Sequence, residues 1–373
     1  MKKTMLGFTL FVLVVFLHAA CVNTVGPRKG EWDFKLKKVW EIDKAGDQVL
    51  GHPFSLTATE DGYLYVFDPT NRVNYIFDQD GSFVSAFGKQ GQGSGEIQGQ
   101  GKIHYVDGQV YIPAANGIHV FTRDGDYLKT VGKDDSLMDL RIFLSEEEII
   151  SAPQTAVFLP GGKGRITRKN ILTGEEAEIA GFSLEDWGIA QSRGQAVDII
   201  AIGFSPLMIL GYAENRLYWG MNSSYRIHVT DLNGNKINTF SLNRKSRKVS
   251  AQLKRKFFAK PNLSHELTDR IAESMPDEIS FFHRIEVHGG LIYVFVPDVD
   301  LDSQSARLKQ IDIFSSEGEY LYRANIRFEE NRNHLFSPLH NLVFQEGHLY
   351  AVLTDEEISP RIAKYEIAIP NGN

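Results

Sequence analysis

Asp298, Asp300 and Asp302 alternate with the one-three-five oxygen spacing that opens a calcium loop. Such a loop also needs a glycine at its sixth position and a bidentate carboxylate at its twelfth, and this chain has Ser303 and Lys309 there. A polar connection between strands is the simpler reading. Gly91-Gln-Gly-Ser-Gly95 resembles a phosphate cradle, but no Lys-Ser or Lys-Thr pair follows it. The chain contains neither His-Glu-x-x-His nor Gly-x-Ser-x-Gly, and its one cysteine, Cys21, has no second thiol to pair with. No catalytic motif, metal centre or cofactor site is therefore expected from local sequence. What remains is a set of dispersed histidines and cations that only the fold could bring together.

The fold announces itself through repetition. A turn residue, a variable residue, an apolar residue, an aromatic and another apolar residue recur as Gly62-Tyr-Leu-Tyr65-Val66, Gly108-Gln-Val-Tyr111-Ile112, Asn215-Arg-Leu-Tyr218-Trp219, Gly290-Leu-Ile-Tyr293-Val294 and Gly347-His-Leu-Tyr350-Ala351. A degenerate copy lies at Glu147-Glu-Ile-Ile150. Repeats of this kind mark arrays in which each unit buries its apolar face only against its neighbours. Downstream of these phrases, apolar runs end in turns such as Asp80-Gly81, Asp124-Gly125, Thr173-Gly174, Asn233-Gly234 and Glu317-Gly318, which predict antiparallel hairpins and four strands per unit. Pro53, Pro206 and Pro338 share one offset upstream of the turn residue. Proline is tolerated at the first residue of a strand, so each is expected to mark entry to an innermost strand. Closing six units into a ring is one way in which an all-β protein hides its sheet edges. The sixth is one strand short at its C-terminal run Ala363–Ile369, and Phe34–Ile42 is expected to supply the missing outer strand.

The first unit carries a family resemblance. Asp61-Gly62-Tyr-Leu-Tyr-Val-Phe-Asp68, Asn71-Arg72-Val73, Phe77-Asp78-Gln-Asp80-Gly81 and Phe87-Gly88-Lys-Gln-Gly91 together look like an NHL repeat. The whole chain resembles the bacterial six-bladed β-propeller proteins related to NHL repeats, many of them exported lipoproteins. That resemblance implies an all-β propeller of four-stranded blades, and says little about activity, since propellers host binding and several chemistries alike.

Lys2 and Lys3, an apolar run from Met5 to Leu17 and the small residues before Cys21 have the layout of a signal peptide over residues 1–20. Cys21 sits where a lipoprotein signal places its acylated residue, although His18 stands at a position that usually holds Leu. Residues 21–30 then read as a tether, and 31–373 as the propeller. The expected location is the bacterial cell envelope, with the lipid as the membrane partner. A net charge of −7 and a pI near 5.9 argue against general nucleic-acid binding, which needs a basic footprint.

Two stretches interrupt the repeat, 181–203 and 245–276. Ser264 can cap a helix in the second, with Leu267, Ile271 and Met275 on one face and Pro276 beyond its end. The same region carries Arg244, Lys245, Arg247, Lys248, Lys254, Arg255 and Lys256, which form either a solvated charged face or a contact for acidic headgroups or an anionic partner.

Function in a propeller usually resides on the loops and strand ends at the central mouth. Aligning the units on the turn residue places Ser55, Met208, His283 and His340 in one column, with Leu56, Lys102, Ile209, Arg284 and Asn341 in the next. Arg141 joins within a one-residue uncertainty of register, and His52 falls just before Pro53. His52, Lys102, Arg141, His283, Arg284, His340 and Asn341 are thus the candidate binding residues. They would suit an anionic, carbohydrate or protein ligand of a tethered binding or scaffold protein. The alternative is a propeller enzyme of the metal-dependent lactonase or lyase type, for which these columns lack an obvious carboxylate.

Overall fold

A computed structural model describes residues 22–23, 26–132, 139–154, 163–183, 207–258, 264–274, 276–297, 308–327, 342–345, 347–353 and 360–370. The signal peptide, Cys21, most of the 181–203 insertion, the Asp298–Asp302 triplet, Pro206, Pro338, His340 and Asn341 lie outside these residues.

Six antiparallel four-stranded blades follow one another along the chain. Blade one comprises Ser55–Ala58, Leu64–Asp68, Val73–Phe77 and Phe83–Phe87. Blade two is His104–Val106, Gln109–Ala114, Gly117–Thr122 and Tyr127–Val131. Blade three is Asp139–Phe143, Glu148–Pro153, Lys163–Asn170 and Glu176–Ser183. Blade four is Met208–Ala213, Arg216–Met221, Arg226–Asp231 and Lys236–Leu242. Blade five is Arg284–His288, Leu291–Val296, Leu308–Ser315 and Tyr320–Arg327. Blade six is Leu342–Gln345, His348–Leu353 and Arg361–Glu366, completed by Lys37–Ile42 from the start of the chain. Its ladder runs from Lys37 opposite Glu366 to Ile42 opposite Ile362, with a bulge at Val39, so the expected latch between chain start and chain end is present.

The repeated phrase works because its aromatic residue is a spacer between blades. Tyr65, Tyr111, Tyr218, Tyr293 and Tyr350 all lie on second strands and are all buried. Each pair of neighbouring blades shares an apolar layer. Blades one and two meet through Tyr65, Ile76, Ile103 and Phe121, and blades two and three through Tyr111, Val120, Phe143 and Ile149. Ile150, Ile166, Met208 and Leu217 join blades three and four; Tyr218, Ile227, Ile285 and Phe314 join four and five. Tyr293, Ile313, Leu342 and Phe344 join five and six, and Tyr350, Val352, Leu56 and Phe77 close the circle onto blade one. Among the described residues each of these apolar layers is shared between two blades, so each blade is half of two interfaces.

The outer hairpins repeat one device. In blades one to five the third and fourth strands slip register once, beside Ile76, Val120, Ile166, Val229 and Ile313, and the following turn carries a glycine at positive φ. At Gly81 (φ 81°) a side chain would be strained and a Cβ would meet the Trp40 ring at 3.0 Å.

Residues 22–23 and 26–32, within and just beyond the expected tether, lie along the propeller. Val22–Asn23 pairs in parallel with Ser241 and Leu242 at the outer edge of blade four, and Glu31–Trp32 with Arg323 and Ala324 at that of blade five. Between them Arg28 and Lys29 donate N–H groups to the carbonyls of Tyr320 and Leu321. With Lys37–Ile42 on blade six, the N-terminal segment covers three consecutive edges that would otherwise present open hydrogen bonds.

The second insertion forms two helices, Ala251–Phe258 and His265–Ser274. Ser264 caps the second as expected, its Oγ accepting from Leu267 N at 3.2 Å. The first was not legible in the apolar spacing; Ser250 Oγ caps it at 3.2 Å from Leu253 N. Much of the basic cluster is internally committed. Arg244 binds Asp312 at 2.7 Å, Lys254 binds Asp277 at 2.7 Å, Arg255 binds Asp269 at 2.6 Å, and Arg247 donates to the Pro297 carbonyl. Lys245 and Lys248 are exposed.

The spacer tyrosines give the ring an alkaline limit. Burial pushes the Tyr111 and Tyr350 hydroxyls from 10.0 up to about 12, and raises those of Tyr65 and Tyr293 further. Because these folded-state values lie above the unfolded value, their stabilising contribution is complete below pH 10 and is lost as pH rises through 10 to 12 and beyond. A tyrosinate absorbance titration is expected to stay low past pH 10 for these residues, then to rise steeply together with unfolding followed by circular dichroism. A smooth rise centred on 10 with the fold intact would contradict this spacer role.

Candidate binding site in the central channel

The first strand of each blade lies on the axis side, and the side chains at its entry fix what the channel presents. Phe54, Gly101 and His283 each donate their N–H to a carbonyl of the second strand, from Phe67, Pro113 and Phe295 respectively. Ser55, Lys102 and Arg284, each one residue on, are therefore equivalent and share a tier. Ile209, opposite Gly220, and Leu140, opposite Ala152, occupy the same level.

This corrects the two columns expected from the repeat. Ser55 belongs with Lys102 and Arg284, while Leu56 and Arg141 belong one step further, with Ile103 and Ile285. The reason is turn length. Blades two, four and five use two-residue turns, Asp107-Gly108, Glu214-Asn215 and Gly289-Gly290, with positive φ at both positions. In blade one Ala58 pairs with Leu64, and in blade three Phe143 with Ile149, so the turn residue falls at a different point of a longer loop. Alignment on that residue slips blades one and three by one place.

Of the candidate residues, Lys102, Arg141 and Arg284 come within electrostatic reach of a common group of side chains from blades two, three and five. His283 is buried beside the Phe295 ring, and His52 is exposed at the blade-one rim, its ring near Phe54 and its N–H bonded to Asp68 Oδ1 at 3.0 Å. The group gains three members the columns missed: His104, two residues after Lys102, and Glu286 and His288, two and four after Arg284. The signal was available, because alternate residues of a strand share a face, so the face that begins at Lys102 and Arg284 continues inward at these positions.

Arg284 donates to the Leu342 carbonyl of blade six and to one oxygen of Glu286, and its guanidinium lies 5.2 Å from the Phe295 ring centre. The other Glu286 oxygen accepts no hydrogen bond and faces His288 Nε2 at 3.7 Å. Burial opposes ionisation of Glu286, but Arg284, His288 and Lys102 outweigh it and hold the carboxyl below its ordinary value. Across the channel, Lys102 Nζ has no hydrogen bond or ion pair among the described residues. The Lys102 side chain is solvent-exposed, with protein crowded around the channel. That enclosure, reinforced by Arg284 and partly offset by Glu286, pulls its pKa from 10.5 to about 8. Burial, then Lys102 and Arg141, hold His104 neutral, well below 6.5. Among the described residues, Lys102 and Arg284 thus act on the Glu286 carboxylate, and Lys102 and Arg141 on His104.

Comparison with solved structures supports the architecture. A member of the DUF4221 family from Bacteroides vulgatus superposes with a TM-score of 0.55 at 11% identity, covering 90% of this chain and 98% of that one. A protein of Bacteroides fragilis designated as exported gives 0.53 at 12% identity, covering 91% and 99%. A gluconolactonase from Xanthomonas campestris gives 0.43 at 13% identity over 89% of each chain. No family model and no curated protein matches the sequence. The two Bacteroides likenesses show a shared propeller fold.

A lactonase-like centre would need several side chains converging on one cation. The channel does contain a carboxylate, contrary to the sequence expectation, and His288 stands beside it. Among the described residues, however, no three His, Cys, Asp or Glu side chains gather as a metal ion would require.

Proposed function

We propose that this protein is an exported, membrane-tethered binding protein whose channel receives an anion, either a small carboxylate or the acidic group of a carbohydrate or protein partner. The observation that supports the reading is Lys102, an ammonium with no acceptor among the described residues, which lies within electrostatic reach of Arg284, of the Glu286 carboxylate and, with Arg141, of His104. Neighbouring cations with no acceptor for Lys102 among the described residues attract an anion, which would bind through charge-assisted hydrogen bonds. Export and tethering rest on the signal layout and on Cys21 as the acylated residue.

Calorimetry with citrate and galacturonate tests the channel. Binding is expected to weaken about tenfold or more in Lys102→Glu, the loss of a charged hydrogen bond of roughly 1.5–3 kcal/mol. Because an anion raises the Lys102 pKa above about 8, binding should take up protons near pH 8–9 and few near pH 6, and affinity should fall as pH rises through this range. Equal affinity in Lys102→Glu, or no proton uptake at either pH, would remove the reading. Labelled palmitate incorporated into the native chain and absent from Cys21→Ser tests the anchor.

A further inference from the structure

The outer edge of a blade is a ready template for another strand, and proteins block such edges with charge, a bulge or a covering segment. Among the described residues, all but one of the outer strands carry charge or are covered. Those of blades four and five are paired with the N-terminal segment, through Val22–Asn23 and Glu31–Trp32. The outer strand of blade two has Lys129, that of blade three Glu176 and Glu178, and that of blade six Lys37, Lys38 and Glu41. Phe83–Phe87 of blade one, Phe-Val-Ser-Ala-Phe, has no charge and no proline, and no described strand pairs with its outer side. Its bulge at Val84 recurs in blades two to five and so does not set it apart. Phe83 and Val84 are each 40% exposed, and Val49, 42% exposed, lies on the neighbouring hairpin, whose Gly46 abuts the Phe83 ring. This edge is therefore open in its hydrogen bonds and apolar in its side chains, the combination that edge strands of monomeric proteins avoid.

We propose that two copies of this chain associate through this edge, Phe83–Phe87 of each adding antiparallel to the other so that the two first blades form one continuous sheet. Charge favours a second copy as the occupant. Asp80 precedes the strand, Lys89 follows it, and both are exposed. Two-fold antiparallel pairing brings the start of each strand beside the end of its mate, so Asp80 of either copy meets Lys89 of the other. Parallel pairing in register would set like charges together. Such exposed pairs add little affinity and serve to fix orientation. Blade four, where the chain start pairs, stands across the ring from blade one, so the N-terminal segment stays clear of the junction. A five-residue strand from each copy makes a small contact, and a dissociation constant on the order of 10 µM is expected.

Sedimentation velocity from about 1 to 200 µM tests this on the chain from Cys21 onward carrying Cys21→Ser, which removes acylation and disulfides as other routes to a dimer. A monomer–dimer equilibrium is expected. Val84→Lys gives blade one a charge like that of Lys129 on blade two, and should weaken association about tenfold or more, since a two-fold contact meets each substitution twice. Val84 is exposed, so the urea midpoint of the dilute protein should not move. Leu128→Lys, at the equivalent bulged position of blade two and 46% exposed, should leave association unchanged. Lys89→Asp should weaken the dimer, and Asp80→Lys in the same chain should restore it. Amide hydrogen exchange over Phe83–Phe87 should slow as concentration rises, while that over Tyr127–Val131 stays the same. A monomer at every concentration, a dimer that tolerates Val84→Lys, or one that Leu128→Lys weakens equally overturns the proposal. A loss at Lys89→Asp that Asp80→Lys does not restore overturns the antiparallel arrangement.

Discussion

A chain that begins at Asp43 is expected not to fold cooperatively, whereas one that begins at Gly30 is expected to retain the propeller. Residues 31–42 look peripheral in sequence, yet they provide the outer strand of blade six and part of two interblade layers. Phe34 is almost fully buried between blades five and six, 5.5 Å from the Phe344 ring and 6.5 Å from Tyr293, and its carbonyl accepts from Ala368 N at 2.7 Å. Trp40 reaches the other way, its Nε1 donating to Gln79 O of blade one at 3.0 Å while its ring meets Tyr350. Glu41 binds Arg361 at 2.7 Å. Burying two large aromatics contributes about 3–6 kcal/mol, and the lost ladder leaves Arg361–Glu366 as an open edge. Against a net stability of about 5–15 kcal/mol this is decisive, because every blade depends on both neighbours. Urea unfolding of the shortened chain should show no sharp transition. A peptide spanning residues 31–43, added in trans, should restore one by strand addition. The narrower change Phe34→Ala should cost about 3–5 kcal/mol. A cooperative transition in the chain starting at Asp43, equal in midpoint to that of the longer chain, would show that the latch is dispensable.

The latch was legible because a count of strands left blade six short and an apolar run near the start was unassigned. The tyrosine spacers and outer glycine turns were legible for a similar reason: one physical demand, repeated around a ring, leaves one residue type at one offset. The channel was read less well. Lys102, Arg141 and Arg284 were found from their columns, but the tiers slipped because loop length in blades one and three is set by turn chemistry that the shared turn residue does not report. His104, Glu286 and His288 lie beyond the strand entry that the columns cover, although strand alternation extends the same face to them. The parallel pairing of Val22–Asn23 and Glu31–Trp32 could not have been read at all, since two-residue strands carry no periodicity. Nor could the pairing of Arg244 with the buried Asp312, or of Lys254 and Arg255 with the exposed Asp277 and Asp269, which in sequence look like part of one free basic cluster.

Asp312→Ala is expected to destabilise the protein by about 3–5 kcal/mol, the usual consequence of removing one partner from a buried ion pair. Asp312 lies between Ile311 and Ile313 on the third strand of blade five with no solvent exposure, an arrangement that only complete hydrogen bonding makes tolerable. Its carboxylate accepts from Tyr320 OH at 2.6 Å and Tyr225 OH at 2.8 Å, and pairs with Arg244 at 2.7 Å and Arg323 at 3.5 Å. Tyr225 comes from blade four and Arg244 from the strand end where the helical insertion begins, so one carboxylate joins two blades and pins the insertion. Burial first, then the Asp312 charge, pushes both tyrosine hydroxyls well above 10. Alanine leaves the Arg244 charge and two buried hydroxyls without their acceptor, and should lower the urea midpoint while bringing part of the tyrosine titration back toward 10. Asp312→Asn keeps the shape and one acceptor oxygen but loses the charge and turns the other oxygen into an N–H donor, so a smaller cost of about 1–3 kcal/mol is expected. Limited proteolysis should cut the 245–276 insertion sooner in Asp312→Ala than in the native chain, since Arg244 no longer holds its entry. An unchanged urea midpoint with native proteolysis would mean that this network fills space between blades four and five without joining them.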